Sequence, residues 1–231
     1  MVCTNQVIDD IYKVMDYGLI RLFANYKSRI RWTIRMNKET LDYYNNNAVK
    51  FATGTLNVDM STIQNKFLSY LDGGDRILDL GCGAGRDTKY FLSKGYEVEA
   101  VDGSEELCAM ASEYTGVKVR HLYFENLDYE NVFDGIWACS SLLHVPSADL
   151  KNVLQRCFKA MKKDGVFYLS FKQGTNEGLR DGRYFTDLTA EKITALLSEI
   201  GYDNKIEELF ITQDARPDRD LKWVNVIVRK N

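Results

Sequence analysis

Three glycines fall at every second residue in Asp79-Leu-Gly81-Cys-Gly83-Ala-Gly85, and an acid, Asp102, follows twenty-one residues after the first of them. Glycine has no Cβ, so such a loop turns tightly and admits a ligand to contact distance. Unpaired amide hydrogens at the start of a following helix face whatever lies there. An acid closing the next strand accepts both hydroxyls of a ribose. The pattern therefore points to a nucleotide-like cofactor. Dinucleotides want G-x-G-x-x-G, whose third glycine lets helix and strand pack closely, and here Arg86 holds that place. An acid two residues before the first glycine, Asp79, suits a ligand with an ammonium group and no pyrophosphate.

Other reactive side chains are few. His144 is one of two histidines; placed just past a strand end, it is a candidate to move a proton near neutral pH, with packing as the simpler role. His121 falls inside a strand and reads as structural. Cys82 sits at the loop apex, where a helix N-terminus lowers a thiol pKa, but no His or acid adjoins it in sequence, so it reads as filler. Lys172, Arg183, Tyr184 and Trp223 fall at late strand ends or in loops, where they suit an anionic or planar partner, although exposed cations are more often plain surface.

From Leu56 onward, strand and helix signals alternate. Met60, Ile63, Phe67 and Leu71 share a helical stripe that ends at Gly73-Gly74. The spacing predicts strands over 76–80, 96–101, 117–124, 133–139 and 165–172. Helices are expected after the glycine loop, over 104–114 with Leu107, Met110, Ala111 and Tyr114 inward, and over 148–161. Strands separated by such helices form right-handed βαβ units and a parallel sheet covered on both faces. A helix over 189–200 precedes two strand-like runs, 205–212 and 221–230, joined by the turn signal Arg216-Pro217-Asp218. With no crossover between them, those two are antiparallel neighbours. The expected fold is α/β: a Rossmann-like, seven-stranded, mostly parallel sheet with an antiparallel carboxyl-terminal strand.

Composition narrows the classes. The 231 residues carry 30 basic and 33 acidic side chains, a net of −3, whereas a duplex nucleic-acid binder carries a basic excess. DNA is therefore not the expected partner. Apolar runs stop at four residues, too short to span a membrane, and no signal-peptide core is evident near the start. Five cysteines, odd in number and without a CxxC pair, suit a reducing, cytoplasmic setting and give no metal motif. Residues 1–35 differ in kind. Ile8, Ile11, Met15, Leu19, Leu22 and Tyr26 recur at helical spacing, and Lys27, Arg29, Arg31 and Arg35 follow without an acid between them. A helical extension or lid over residues 1–40 is expected before a domain over 41–231.

The glycine loop with Asp102, the βαβ order and the antiparallel ending resemble the class I S-adenosylmethionine-dependent methyltransferases over about residues 41–231. Leu80-Gly-Cys-Gly-Ala-Gly-Arg-Asp87, the stretch Phe133 to Val145 and Gly182-Arg-Tyr-Phe-Thr186 are similar to a bacterial group often labelled tellurite-resistance-like methyltransferases. The resemblance implies S-adenosylmethionine as cofactor, with S-adenosylhomocysteine as product. It implies that Gly81, Cys82 and Gly83 cradle the amino-acid part and that Asp102, with Gly103 and Ser104, holds the ribose. Phe124, Glu125 and Asn126 would grip adenine, Cys139 and Ser140 would underlie the methionine moiety, and Tyr44, beside Tyr43 and Phe51, would close over the sulfonium. Asp79 and Asp87 join the donor side. His144, Lys172, Arg183 and Tyr184 would face the acceptor, with His144 as the candidate acid–base or orienting group. The expected reaction is in-line methyl transfer to a small molecule. The rival readings are a cofactor-binding scaffold without catalysis, or a methyltransferase acting on RNA or protein through the basic 27–35 segment.

Overall fold

The computed structural model describes residues 38–202 and 205–230. The amphipathic stretch 1–35 and Met36 lie outside those residues. Among the described residues, helical residues 38–46 (α1) and Ala48–Thr55 (α2) come first, then Ser61–Leu68 (α3). The alternating core follows as β1 (Arg76–Leu80), α4 (Arg86–Ser93), β2 (Glu97–Asp102), α5 (Glu105–Thr115), β3 (Arg120–His121), β4 (Phe133–Ala138), α6 (Ser147–Ala160) and β5 (Met161–Lys172). A hairpin, β6 (Glu177–Arg180) and β7 (Arg183–Thr186), precedes α7 (Ala190–Glu199), β8 (Ile206–Gln213) and β9 (Lys222–Arg229).

The seven-stranded sheet has the order β3-β2-β1-β4-β5-β9-β8. All pairs from β3 to β5 are parallel, while β9 runs antiparallel to both its neighbours. The antiparallel ending expected from the missing crossover is therefore present, with β9 inserted beside β5 and β8 on the edge. Side chains alternate across the central strands. Leu78, Leu80, Ile136, Ala138, Phe167 and Leu169 meet α6 and α7 through Leu150, Val153, Leu154, Phe158, Ile193 and Leu197. Ile77, Trp137, Val166, Tyr168 and Ile227 meet Phe67 of α3 and Phe91 of α4. A strand buried on both faces reads as a continuous apolar run, which is why β4 and β5 stand out in the sequence.

Three differences from the sequence expectation matter. The third strand is two residues long rather than 117–124. It lies on the sheet edge with only β2 beside it, and after Leu122 donates its N–H to the Asp102 carbonyl, Phe124–Asn126 curl into a 3-10 turn. Tyr114 is 43% exposed, with Lys89 Nζ 5.7 Å from its ring centroid. The buried face of α5 is instead Leu107, Cys108, Ala111 and Thr115, and Tyr114 lies at its margin. The hairpin β6–β7 was not foreseen. Its two-residue turn, Asp181-Gly182, has φ of 50° and 76°, the backbone of a type I′ turn, for which Asp-Gly is a strong signal.

Candidate active site

Strand β1 has β2 on one side and β4 on the other, so the chain changes direction across the sheet there and leaves a crevice at the carboxyl ends of the strands. Gly81, with φ of +78°, leaves β1, and its amide and that of Cys82 both donate to the Val101 carbonyl. A Cβ at Gly81 would lie 2.5 Å from Ser141 Cβ and 3.3 Å from Phe124 Cζ. The loop thus runs flush against the β4 exit and the 3-10 turn of Phe124.

Asp102 closes β2. One carboxylate oxygen accepts the Gly83 N–H and the other the Ser104 N–H, each at 2.8 Å. Burial pushes this carboxyl up to about 6, against the pull of the Ser104, Gly83 and Gly103 amides. Ser104 is itself buried; as N-cap of α5 its Oγ accepts from the Leu107 amide and donates to Asn45. It thus acts on the crevice through its backbone, fixing Asp102.

Asp79 and Asp87 form the floor. Asp87 accepts from Gln64 Nε2 at 2.7 Å, from Arg86 Nε and Nη2 at 2.8 Å, and from Trp137 Nε1 at 2.8 Å. Burial opposes its charge, but the Arg86 fork and these donors outweigh it and hold its pKa below the usual range. Asp79 is 2% exposed, donor-bonded only by Thr88 Oγ1 at 2.6 Å. Burial first, and the neighbouring Asp87 charge second, push its pKa up. Of this pair, Asp87 carries the charge and lines the cleft, whereas Asp79 is sealed below it.

A cleft of about 1600 Å3 joins this crevice to a second half roofed by α1 and the hairpin, a volume larger than one drug-sized ligand needs. The crevice side is lined by Gly81, Cys82, Gly83, Asp102, Gly103, Phe124, Glu125, Cys139 and Ser140; the far side by Tyr44, His144, Lys172, Arg183 and Trp223. Asn126 is exposed and outside the lining, and the Tyr184 phenol turns away to donate to Glu177 at 2.7 Å. Burial pushes the Cys139 thiol up to about 11 and raises that of Cys82 as well, so both stay protonated near neutrality and neither is a nucleophile. His121 is exposed, its Nε2 2.9 Å from the Gly103 carbonyl. Among the described residues no cluster of His, Cys, Asp or Glu is arranged to hold a metal.

His144 is brought in by the left-handed backbone of Ser140 (φ 54°) and the 3-10 turn Leu142–His144 that follows β4. Its Nδ1 lies 2.6 Å from the Tyr184 carbonyl and its Nε2 2.8 Å from the Tyr44 hydroxyl. A carbonyl only accepts, so Nδ1 carries the proton, and Nε2 accepts from Tyr44. Burial drives the imidazole pKa down to about 3, with the Arg183, Lys172 and Arg180 charges adding to the shift and the Tyr184 carbonyl opposing it. His144 is therefore neutral, with its lone pair occupied by the Tyr44 hydroxyl. Tyr44 also meets Phe51 edge to face, 5.1 Å between centroids, which carries the α1–α2 corner from the glycine loop to the roof.

Sequence reasoning passed over Gln64, Arg86, Trp137, Arg180 and Phe185. Arg180 and Phe185 were within reach through the Asp181-Gly182 turn signal, and Arg86 adjoins Asp87 in sequence; Gln64 and Trp137 reach Asp87 from 23 and 50 residues away.

Residues 77–165 match the family model described as a methyltransferase domain. The chain is 27% identical over 108 residues to an uncharacterized methyltransferase of Staphylococcus carnosus, covering 47% of this chain and 51% of that one. It is 31% identical over 140 residues to a ubiquinone biosynthesis O-methyltransferase of Pseudomonas fluorescens, 57% of each chain. It thus spans about half the length of the curated relatives it matches. Among solved structures, the Burkholderia thailandensis 1,6-didemethyltoxoflavin-N1-methyltransferase, with 1,6-didemethyltoxoflavin and S-adenosylhomocysteine bound, superposes with a TM-score of 0.68 at 23% identity over 90% of both chains.

Residues 77–165 thus match a methyltransferase domain, on a fold that solved S-adenosylmethionine-dependent methyltransferases share.

Proposed function

We propose that the protein transfers a methyl group from S-adenosylmethionine to a small-molecule acceptor held in the far half of the cleft. The observation that carries this reading is the continuity of the cleft, which runs from the Gly81–Asp102 crevice to a second half lined by Tyr44, His144 and the hairpin. The donor residues fit the cofactor. The loop at Gly81 leaves no room for a Cβ, Asp102 presents a carboxylate, and the Ser141 hydroxyl, buried beside Gly81, has no hydrogen-bond partner among the described residues. When bound, the cofactor supplies a sulfonium methyl that leaves by in-line displacement.

The chain's own part is placement. Asp102, Phe124 and the glycine loop hold the donor, while Tyr44, kept in position by His144, faces the acceptor side. Aligning the two reactants contributes roughly 7–11 kcal/mol to such a step. A toxoflavin-type methyltransferase with the same fold and relatives acting in ubiquinone biosynthesis support a small organic acceptor. Placement in the tellurite-resistance-like group rests on the motifs at 80–87, 133–145 and 182–186, and a cytoplasmic setting on the free thiols of Cys82, Cys108, Cys139 and Cys157. No described helix is long and apolar enough to cross a membrane. The helical extension over 1–40 stays a proposal; its described end, at Thr40, accepts the Tyr184 amide at 2.9 Å and so ties α1 to the hairpin.

The test is incubation of the full chain with donor labelled in its methyl group, against a panel of small phenols, amines and heterocycles, followed by mass analysis. Label in a small product supports the proposal; label found only in RNA or protein, or in nothing while the donor binds, overturns it. Cofactor affinity should also follow the Asp102 charge. Ribose hydroxyls donate to the ionised carboxylate, so binding is full above the free-state pKa of about 6. Below it, affinity falls about tenfold per pH unit until the bound-state pKa is reached. Calorimetry between pH 5 and 8 with flat affinity would argue against Asp102 as the ribose ligand.

A further inference from the structure

Three cations crowd one ring in the acceptor half. Lys172 Nζ, Arg180 Cζ and Arg183 Cζ lie 3.7, 4.8 and 5.1 Å from the centroid of Phe185, which is 3% exposed. The neutral ring of His144 packs on the same phenyl at 4.9 Å. Each contact is favourable in itself, but the cations repel one another, and all three are half-buried, where a charge gains from a partner. Among the described residues, only one of the three has a carboxylate partner. Asp187 binds Arg180 through both oxygens, at 2.7 and 2.5 Å, and the nearby Asp214 is likewise committed to Arg216, at 2.9 Å on both. Among the described residues no carboxylate comes within ion-pair distance of Lys172 or Arg183, and the Arg183 Nε is buried without a partner. Both side chains line the cleft.

We propose that Lys172 and Arg183 form a subsite for an oxyanion, so that the acceptor is a small molecule carrying a carboxylate or a comparable anionic group. The inference rests on reading the cleft as a methyl-transfer site and names the class of acceptor that site takes. The subsite sits at the end of β5, two strands from the glycine loop, and on the hairpin, away from Asp102 and Phe124. The like charges also leave a mark on Lys172. Burial, then Arg180, lower its pKa to about 8, with Arg183 and Arg219 adding to this and Asp187 opposing it. An anion between these two cations, neither of which has a carboxylate partner among the described residues, offsets that repulsion.

The probes are benzoate and benzamide, which have nearly the same shape and differ in charge, titrated into the full chain with and without saturating S-adenosylhomocysteine and read by ligand-detected NMR. Benzoate is expected to bind at least tenfold more tightly than benzamide. Lys172→Met and Arg183→Met should each weaken benzoate roughly tenfold to a hundredfold while leaving S-adenosylhomocysteine affinity unchanged, and Lys172→Arg should retain the preference for benzoate. Equal binding of the two probes, or no binding of either, overturns the proposal, as does benzoate binding indifferent to both substitutions in variants that melt like the parent. A loss of S-adenosylhomocysteine affinity in Lys172→Met assigns these cations to the donor's own carboxylate and also overturns it. Failure of the parent to bind S-adenosylhomocysteine counts against the methyl-transfer reading, while the probe comparison without that ligand still decides the anion subsite.

Discussion

Gly81→Ala is expected to lower stability by roughly 2–5 kcal/mol and to abolish measurable cofactor binding. Two costs add. A non-glycine residue at φ of +78° loses about 1–2 kcal/mol to contact between its Cβ and its own backbone. The new methyl also arrives 2.5 Å from Ser141 Cβ and 3.3 Å from Phe124 Cζ, and forcing atoms into a packed site costs about 1–3 kcal/mol. Relief of that overlap moves either the β4 exit or Phe124, both of which line the donor half of the cleft. Gly74→Ala separates the two costs, because Gly74 has φ of +91° but nothing within 4 Å of its Cβ position; it should lose only the backbone part. Thermal unfolding and calorimetry with S-adenosylhomocysteine read both effects. A Gly81→Ala protein that melts no lower than Gly74→Ala and binds normally would show that the loop does not lie flush against the β4 exit.

Asp87→Ala should cost a similar amount by a different route. Asp87, 6% exposed, gathers four hydrogen bonds that join α4 to α3 through Gln64 and to β4 through Trp137. Without the carboxylate, Arg86 keeps its charge in a site where its side chain is only 22% exposed, and Trp137 Nε1 and Gln64 lose their acceptor. Breaking one half of a buried ion pair costs about 3–5 kcal/mol, which for a chain of this size lowers the melting temperature by roughly 6–20 °C. Asp79 is too weak a substitute, since its pKa is raised and it already accepts from Thr88. Asp87→Asn keeps an acceptor for Trp137 and should lose less. A melting temperature within a degree or two of the parent in Asp87→Ala would mean that this cluster does not hold α4 in place.

What the sequence made legible follows the range of each interaction. The glycine loop and Asp102 lie on adjacent strands and carry their geometry in local residue types, so their place in the crevice could be read directly. The same holds for the antiparallel β8–β9 ending, which follows from the absence of a crossover. Edge effects were less visible. Nothing in Val117 to Phe124 announces that β3 pairs for only two residues, because its shortness comes from having one neighbour and from the turn at Phe124. The Asp87 cluster was opaque for another reason, since its partners Gln64 and Trp137 lie 23 and 50 residues away. His144 stood out as a rare titratable residue, but its neutral state comes from burial, and its tautomer, and so its hold on Tyr44, from a carbonyl contributed by the hairpin 40 residues on. That hairpin, with Phe185 at the centre of the cation cluster, was the largest omission, and Asp181-Gly182 was its signal.

The donor site in the crevice between Gly81 and Asp102 underlies the whole account, and a calorimetric titration of S-adenosylhomocysteine into the full chain and into Asp102→Ala addresses it most directly. One site per chain is predicted for the parent. In the variant, loss of charge-assisted hydrogen bonds worth about 1.5–3 kcal/mol weakens binding roughly tenfold to a hundredfold. No heat of binding in the parent, or the same affinity in both proteins, would contradict it.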